Sequence, residues 1–254
     1  QNDGTAGKQY AADLIARIKA SNLDIGTFIS EPIVGCGGQV PLAKGYLKEV
    51  YTYMRANGGV CINDEVQTGF GRLGTYFWGF EMQEVVPDIV ILGKPIANGH
   101  PMGAVVTTEE IAASFETGME FFSSFGGNPV SCAIAHAVLD VLEEEQLPEH
   151  AQKLGTYLLN GFENLTKKYE WAGNARGQGL FLGLELVKDK TKKEPFTELA
   201  AFVKNKLKEQ NILIGTDGPF DNTLKIKPPL CFTQANADEL LQAIDEALGT
   251  WTIA

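Results

Sequence analysis

Apolar residues recur along the chain at two spacings, one typical of helices and the other of strands. The helical spacing predicts helices over residues 6–21, 42–57, 129–145, 150–169, 197–210 and 236–248. Short apolar runs predict strands over residues 27–30, 60–63, 88–92, 103–107, 180–187, 212–214 and 223–226. Because strands and helices alternate in the first part of the chain, the pattern predicts an α/β fold with a mixed, mostly parallel sheet.

The pattern changes near residue 150, where Leu147-Pro148 interrupts the helical spacing and a second helix begins. Strand-like segments and helices follow without the regular alternation of the first part. We therefore expect a larger domain over residues 1–150 and a smaller α+β domain over residues 151–254. No linker of disordered composition separates them, so the boundary is predicted to be a junction between two helices.

Composition excludes several classes of protein. The net charge of −11 argues against a surface for nucleic acid or for an anionic membrane. No stretch approaches the roughly 20 apolar residues of a membrane span. The glycine-rich segments lack the order and spacing of a dinucleotide fingerprint or a P-loop.

The cysteines and histidines are dispersed. The four cysteines are far apart and form no CxxC pair, which is typical of reduced thiols in a cytoplasmic protein. Cys61 and Cys132 are expected to be core thiols. The three histidines are also dispersed, so no metal site is predicted.

Two charged residues end predicted strands. Lys94 closes the apolar run that begins after Asp88, and we expect its amine to be held rigidly and partly out of water. A desolvated lysine can act as a nucleophile toward a carbonyl. Asp64 ends the preceding strand, and a lysine with a strand-end carboxylate is what a pyridoxal phosphate enzyme requires. Taken singly, Lys94 could be a surface charge and Asp64 a turn former that binds its own backbone.

Five segments together resemble one family. They are Ser30-Glu31-Pro32, residues 64–72 (Asp-Glu-Val-Gln-Thr-Gly-Phe-Gly-Arg), residues 87–94, Phe125-Gly126-Gly127-Asn128-Pro129 and Arg176-Gly177-Gln178-Gly179-Leu180. In order and spacing the chain resembles the class III aminotransferase family of pyridoxal phosphate enzymes, over almost its whole length. The resemblance implies the aspartate-aminotransferase-like fold, known as fold type I.

The resemblance also implies roles around the cofactor. Lys94 is similar to the catalytic lysine that forms a Schiff base with pyridoxal 5′-phosphate and shuttles a proton. Asp64 is similar to the catalytic partner of the pyridine nitrogen, Val66 to the residue packed on the ring, and Gln67 to the residue near the ring hydroxyl. Ser124 stands where the family usually has a threonine that binds the phosphate of the neighbouring subunit's cofactor, which implies a homodimer with the site at the subunit interface.

Two further residues are implied to bind the substrate, a small amine or amino acid. Arg176 resembles the arginine that holds a substrate carboxylate through two hydrogen bonds. Glu31 resembles a glutamate that neutralises this arginine when the substrate lacks that carboxylate. From the residues alone, Arg176 could instead be structural.

The resemblance is incomplete at the start of the chain. The family's glycine-rich phosphate-binding helix start and its ring-stacking aromatic residue have no counterpart here. Residues 1–150 are therefore expected to be the C-terminal part of the large cofactor-binding domain, and residues 151–254 the small C-terminal domain. We expect the isolated chain to be a fragment that binds pyridoxal phosphate poorly and is inactive.

Two reactions remain open. The chain most resembles the family branch that contains phospho-lyases acting on phosphoethanolamine or phosphohydroxylysine, through the segments 118–120, 128–132, 216–219 and 224–229. Such enzymes eliminate ammonia and phosphate, and Lys225 and Lys227 are candidates for binding that phosphate. Most family members are transaminases, which transfer the amino group to a keto acid, and this reaction is favoured. A third alternative is an inactive fragment that serves as an interaction module.

Overall fold

The computed structural model describes residues 4–251 and contains helices and strands in close agreement with the apolar pattern. The α-helices are α1 (Ala6–Ser21), α2 (Tyr46–Ala56), α3 (Glu109–Phe115), α4 (Pro129–Glu144), α5 (Leu147–Lys168), α6 (Thr197–Glu209) and α7 (Gln234–Gly249). The strands are β1 (Thr27–Ser30), β2 (Ile33–Val34), β3 (Val40–Pro41), β4 (Val60–Asp64), β5 (Ile89–Leu92), β6 (Ala104–Thr107), β7 (Ala172–Gln178), β8 (Phe181–Asp189), β9 (Glu194–Pro195), β10 (Gly215–Asp217) and β11 (Thr223–Ile226). Two short 3-10 helices cover Gly79–Gln83 and Lys94–Ala97.

The residues pack into two compact units, each built from more than one segment. Unit 1 contains the described residues up to Pro32, Leu42–Phe70 and Tyr76–Gln146. Unit 2 contains Ile33–Pro41, Gly71–Thr75 and the described residues from Leu147 onward. The apolar pattern gives no indication that the two short early segments belong with the later part of the chain. The assignment of domains to residues 1–150 and 151–254 stays a prediction.

Unit 1 is built on a four-stranded sheet in the order β1-β4-β5-β6. The first three strands are parallel, and β6 runs antiparallel to β5. Helices α1 and α2 cover one face, where Cys61 of β4 packs with Leu47, Tyr51 and Met54. The predicted α/β class with a mixed, mostly parallel sheet is confirmed.

Unit 2 has an antiparallel sheet in the order β10-β11-β8-β7, with β9 paired to β8. Helices α5, α6 and α7 bury its apolar face in a core that includes Phe162 and Leu184. Helix α5 lies so close to the turn between β7 and β8 that a Cβ on Gly155 would collide with the carbonyl oxygen of Gly179. Only glycine permits this approach.

Some element boundaries differ from the predicted ones. Helix α2 begins at Tyr46 because Gly45 before it has a left-handed backbone, with φ of 80°. Helix α5 already begins at Leu147, since proline is tolerated in the first turn of a helix. The predicted strand at 212–214 is wrong: the segment leaves α6 in a turn, where the Ile212 N–H donates to the carbonyl of Leu207, and pairing with β11 begins only at Gly215.

The apolar pattern did not predict strand β7, because its sequence, Ala-Gly-Asn-Ala-Arg-Gly-Gln, carries little apolar surface. The prediction of a core thiol holds for Cys61 and is wrong for Cys132, which is exposed on α4. Over residues 4–251, no helix is long and apolar enough to cross a membrane.

Candidate active site

Three of the predicted site residues lie at or just after the carboxyl ends of adjacent parallel strands in unit 1. Glu31 comes directly after β1, Asp64 is the last residue of β4, and Lys94 comes two residues after β5. Strand pairing places Ser30 beside Asn63 and Asp64 beside Ile91. In open α/β sheets, this edge is where ligands bind.

Lys94 has an unusual backbone. Its φ is +35°, a left-handed value that side-chain-bearing residues adopt at a cost, and it begins the short 3-10 helix Lys94–Ala97. The preceding Gly93 is fully extended, with φ of −170°. The chain thus turns sharply after β5 ends at Leu92, and Lys94 lies outside the sheet. The expected partial withdrawal from water is wrong for this chain, because Lys94 is exposed.

Asp64 is half-buried and uses one carboxylate oxygen locally. Its Oδ1 accepts a hydrogen bond of 2.9 Å from the backbone N–H of Val66. Within residues 4–251, no hydrogen bond reaches its Oδ2. The turn-forming interpretation of Asp64 is therefore confirmed, and the second oxygen is still available to a ligand.

Val66 and Gln67 lie on the turn after Asp64, beside the other predicted residues. A Cβ built on Gly93 would be 3.4 Å from Cγ2 of Val66, so this apolar side chain adjoins the residue before Lys94. The side-chain amide of Gln67 is 3.5 Å from Oε2 of Glu31, a long hydrogen bond. Unit 1 thus brings Glu31, Asp64, Val66, Gln67 and Lys94 to one edge of its sheet.

Glu65, which the sequence did not single out, is the most highly coordinated side chain in this region. It is 0% exposed, and its two oxygens accept four hydrogen bonds. Burial raises the pKa of Glu65, and the hydrogen bonds from Thr68, Gly79, Phe80 and Asn63 oppose that rise. The signals in the sequence were its place inside the 64–72 segment and a threonine three residues later, and neither indicates which groups the carboxylate binds.

Ser124 lies in the segment between α3 and α4 and is exposed. Its neighbour Ser123 accepts a hydrogen bond of 3.1 Å from the Gly126 N–H and is thereby used in a local turn. A cavity of about 340 Å³ adjoins this segment, and Ser123, Asn128 and Ser131 are among its lining residues. Ser124 is not among the residues that line it, so its predicted role in binding phosphate stays a prediction.

Arg176 lies on β7 in unit 2, where its guanidinium is already bound. Its Nη1 is 2.5 Å from Oε2 of Glu185 on β8, and its Nε donates to the Gly38 carbonyl at 2.8 Å. Nη2 donates to Oγ1 of Thr223 at 3.2 Å. These contacts favour the structural interpretation, because an arginine gripping a substrate carboxylate needs two free parallel donors. Its predicted role in substrate binding stays a prediction.

The two lysines considered for phosphate binding are also in unit 2. Nζ of Lys225 is 2.8 Å from Oδ2 of Asp217, and the same oxygen accepts a hydrogen bond of 2.6 Å from the Gln39 side chain. Lys227 lies over the ring of Phe181, 5.1 Å from its centre. The charge of Lys225 is therefore compensated within unit 2. In the described part of the chain, no group of three or more His, Cys, Asp or Glu residues is arranged to hold a metal ion.

Comparison with known proteins places the chain in one family. The family model described as "Aminotransferase class-III" matches residues 1–248. An "Alanine--glyoxylate aminotransferase 2-like" protein of Drosophila melanogaster is 47% identical over 97% of this chain and 51% of its own length. An "Ethanolamine-phosphate phospho-lyase homolog 1" of Caenorhabditis elegans is 43% identical over 96% of this chain and 53% of its own length.

Solved structures agree with the sequence comparison. A phospholyase from Arthrobacter in complex with phosphoethanolamine superposes with a TM-score of 0.91, at 38% identity, over 97% of this chain and 59% of that chain. The present chain therefore spans about half the length of the curated relatives it matches. The model match and these relatives show that the chain belongs to the class III aminotransferase family.

Proposed function

We propose that the protein is a pyridoxal-phosphate-dependent transaminase, which transfers an amino group from an amine or amino acid to a keto acid. One observation carries the proposal: Asp64 ends β4, and Lys94 comes two residues after the end of β5, the adjacent parallel strand. This arrangement puts an acidic and a basic residue at the same sheet edge, where α/β sheets bind ligands. Family membership supports the same cofactor.

The residues at this edge fit pyridoxal phosphate chemically. An exposed amine can bind the aldehyde, an oxygen of Asp64 without a donor can accept from a protonated ring nitrogen, and the adjacent Val66 offers an apolar surface for the ring. When bound, pyridoxal phosphate supplies an electron-withdrawing ring that acidifies the C–H of the carbon bearing the amino group.

Each side chain then has a distinct task. Lys94 Nζ would hold the cofactor and would carry the proton that the substrate carbon loses and the product gains. Asp64 keeps the ring nitrogen protonated through a charge-assisted hydrogen bond. Gln67 would orient the cofactor near its ring hydroxyl. Glu31, whose Oε2 is 3.5 Å from the Gln67 amide, would neutralise Arg176 when the substrate has no carboxylate there. Ser124 is assigned the phosphate of the cofactor in a neighbouring subunit. Arg176 is assigned the substrate carboxylate, which it would bind in place of Glu185, now 2.5 Å from its Nη1.

A phospho-lyase is the second candidate, favoured by two similar proteins. One is the Arthrobacter phospholyase in complex with phosphoethanolamine, and the other is the C. elegans phospho-lyase homolog. An elimination would use the same Lys94 and Asp64 but needs a cationic site for the leaving phosphate. Lys225 would serve only after leaving Asp217, from which it is 2.8 Å away.

A two-substrate assay separates the candidates. The 254-residue chain, and a longer polypeptide supplying the part of the relatives' length that it does not span, are each incubated with pyridoxal phosphate. A transaminase consumes amine only when a keto acid is present. A phospho-lyase releases inorganic phosphate from phosphoethanolamine without one. Lys94→Ala is the control and should abolish either activity; activity that survives this substitution contradicts the proposal.

We further propose that the protein forms a homodimer and is cytoplasmic. A homodimer is favoured by the assignment of Ser124 to a neighbouring subunit's cofactor, and a cytoplasmic location by the dispersed cysteines. One relative, a human aminotransferase 46% identical over 88% of this chain, is described as mitochondrial. The isolated chain is expected to bind pyridoxal phosphate poorly. A chain that gains neither cofactor nor activity in the longer polypeptide would instead be an interaction module.

A further inference from the structure

The buried carboxylate of Glu65 holds together three segments around the candidate site of unit 1. Oε1 accepts from Nδ2 of Asn63 at 2.6 Å and from the Phe80 N–H at 2.9 Å. Oε2 accepts from Oγ1 of Thr68 at 2.6 Å and from the Gly79 N–H at 2.9 Å. One side chain therefore joins the end of β4, the turn after it, and the start of the 3-10 helix Gly79–Gln83.

The turn held in this way is the one that presents the predicted cofactor residues. Val66 and Gln67 lie between Glu65 and Thr68 in the sequence. The hydrogen bond from Thr68 Oγ1 to the Glu65 carboxylate therefore closes the chain around these two residues. The Gly69 N–H donates to the Glu65 carbonyl at 3.0 Å, which closes the turn. The Glu65 N–H donates to the Ile91 carbonyl at 3.0 Å and ties the same residue to β5, the strand that leads to Lys94.

The coordination requires a carboxylate and rejects an amide. Each oxygen of Glu65 faces one backbone N–H, Phe80 on Oε1 and Gly79 on Oε2. A glutamine in either orientation would direct its NH₂ group at one of these N–H groups, leaving two buried donors without an acceptor. The close packing of position 79 against this turn also requires glycine. A Cβ on Gly79 would collide with Cγ of Pro32 and lie 3.0 Å from Cβ of Thr68.

We propose that Glu65 is a positioning residue of the candidate active site: its buried carboxylate fixes the turn that presents Asp64, Val66 and Gln67 beside Lys94. Glu65 itself contacts neither cofactor nor substrate. It acts through the turn, which carries the Val66 N–H that holds Oδ1 of Asp64 at 2.9 Å and so sets the direction of Oδ2. The inference rests on the proposed function for its catalytic meaning, whereas its structural content is testable without cofactor.

The test measures amide hydrogen exchange in the cofactor-free chain and compares Glu65→Gln, Thr68→Val and Glu81→Gln. Thr68→Val removes one hydrogen bond to Glu65 and preserves the shape of the side chain. Glu81 is exposed and, within residues 4–251, its carboxylate accepts a hydrogen bond from the Trp78 N–H alone, so Glu81→Gln is the matched control on the same 3-10 helix. We expect exchange at Val66 and Gly69 to rise about tenfold or more in Glu65→Gln and several-fold in Thr68→Val, as loss of buried hydrogen bonds predicts.

The pattern of exchange distinguishes positioning from general stabilisation. Positioning predicts a rise confined to 64–69 and the start of Gly79–Gln83, with α2 and the core of unit 2 unchanged. A uniform rise across unit 1, or no change at Val66 in both variants, overturns the inference. If Glu65→Gln does not fold, Thr68→Val decides the question by the same criterion.

A second readout connects the turn to the cofactor. In the polypeptide that binds pyridoxal phosphate, we expect Thr68→Val to raise the dissociation constant of the cofactor several-fold while Glu81→Gln leaves it unchanged. Equal affinity in Thr68→Val and the unsubstituted protein overturns the positioning role. A protein that binds no cofactor, combined with locally raised exchange, counts against the proposed function and supports the role of Glu65 in ordering the turn.

Discussion

The carboxylate of Asp88 holds the guanidinium of Arg55, with Oδ1 of Asp88 2.7 Å from Nη2 of Arg55. Oδ2 of Asp88 accepts from the backbone N–H of Cys61 at 2.7 Å, and Nη2 of Arg55 also donates to the Val86 carbonyl at 2.6 Å. Asp88, the residue before β5, thereby connects the last turn of α2 to the second residue of β4. The hydrogen bond with Asp88 raises the pKa of Arg55.

Replacing Asp88 should destabilise unit 1 more than replacing Arg55. Asp88→Ala leaves the Cys61 N–H without its acceptor and Arg55 without its carboxylate partner, at an expected cost of about 2–3 kcal/mol. Arg55→Ala should cost only about 1 kcal/mol, because the Arg55 side chain is 44% exposed and solvent screens the pair. Urea unfolding measures both values. Asp88→Asn, which retains an acceptor for Cys61, should fall between them; equal losses for all three variants would refute the dual role of Asp88.

Cys61 should be unreactive in the folded protein. Burial, reinforced by the negative charge of Asp88, raises the pKa of the Cys61 thiol to about 11, so little thiolate is present at pH 8. Iodoacetamide at that pH should modify the exposed Cys36, Cys132 and Cys231 first, and Cys61 only on unfolding. Mass spectrometry of peptides follows each site. Labelling of Cys61 at the rate of the exposed thiols would contradict this prediction.

The same thiol predicts a pH dependence of stability. The folded pKa of Cys61 lies above the ordinary thiol value of 9.0, so the folded state resists ionisation and the unfolded state does not. The free energy of unfolding should therefore fall as the pH rises from about 9 toward 11, and this contribution is fully present below pH 9. Urea unfolding of Cys61→Ala over the same range is the control. A parallel decline in both proteins would exclude Cys61 as the cause.

Asp64→Asn should separate the local from the chemical role of this residue. The asparagine carbonyl can still accept from the Val66 N–H, so stability should change by less than about 0.5 kcal/mol. The loss of charge toward the ring nitrogen should lower activity in the cofactor-loaded polypeptide by about 10²–10³-fold. Urea unfolding and steady-state kinetics test the two parts. Full activity in Asp64→Asn would exclude Asp64 as the partner of the ring nitrogen.

The left-handed backbone of Lys94 is expected to lower the free energy of unfolding of the protein. At φ of +35°, glycine avoids the steric cost that alanine and lysine bear, although it loses more freedom on folding. Lys94→Gly should therefore be more stable than Lys94→Ala by about 0.5–1 kcal/mol, while both lack the amine and any activity. Chemical denaturation of the two variants provides the measurement. Greater stability in Lys94→Ala would show that the left-handed backbone is not strained.

Local sequence was sufficient for most elements of the fold. The predicted helix 6–21 and strands 27–30 and 223–226 agree with α1, β1 and β11 because their apolar spacing is regular and their ends carry polar residues. Strand β7 was not predicted, because it is held in the sheet by backbone pairing with β8 and its side chains carry no apolar pattern. The segment 212–214 is apolar without being a strand, since its hydrogen bonds go to the end of α6.

Sequence by itself also determined the family and the residues on which its chemistry depends, because spaced motifs such as the one from Asp64 to Arg72 are local. Only the tertiary structure decided which groups those residues meet. Arg176 lies beside Glu185 and Gly38, and Glu65 binds the N–H groups of Gly79 and Phe80. The partner of a buried charge depends on which distant strands and turns are packed together. Residue spacing along the chain does not encode that contact. The role of Glu65 therefore followed only from the packing of the 3-10 helix Gly79–Gln83 against the end of β4.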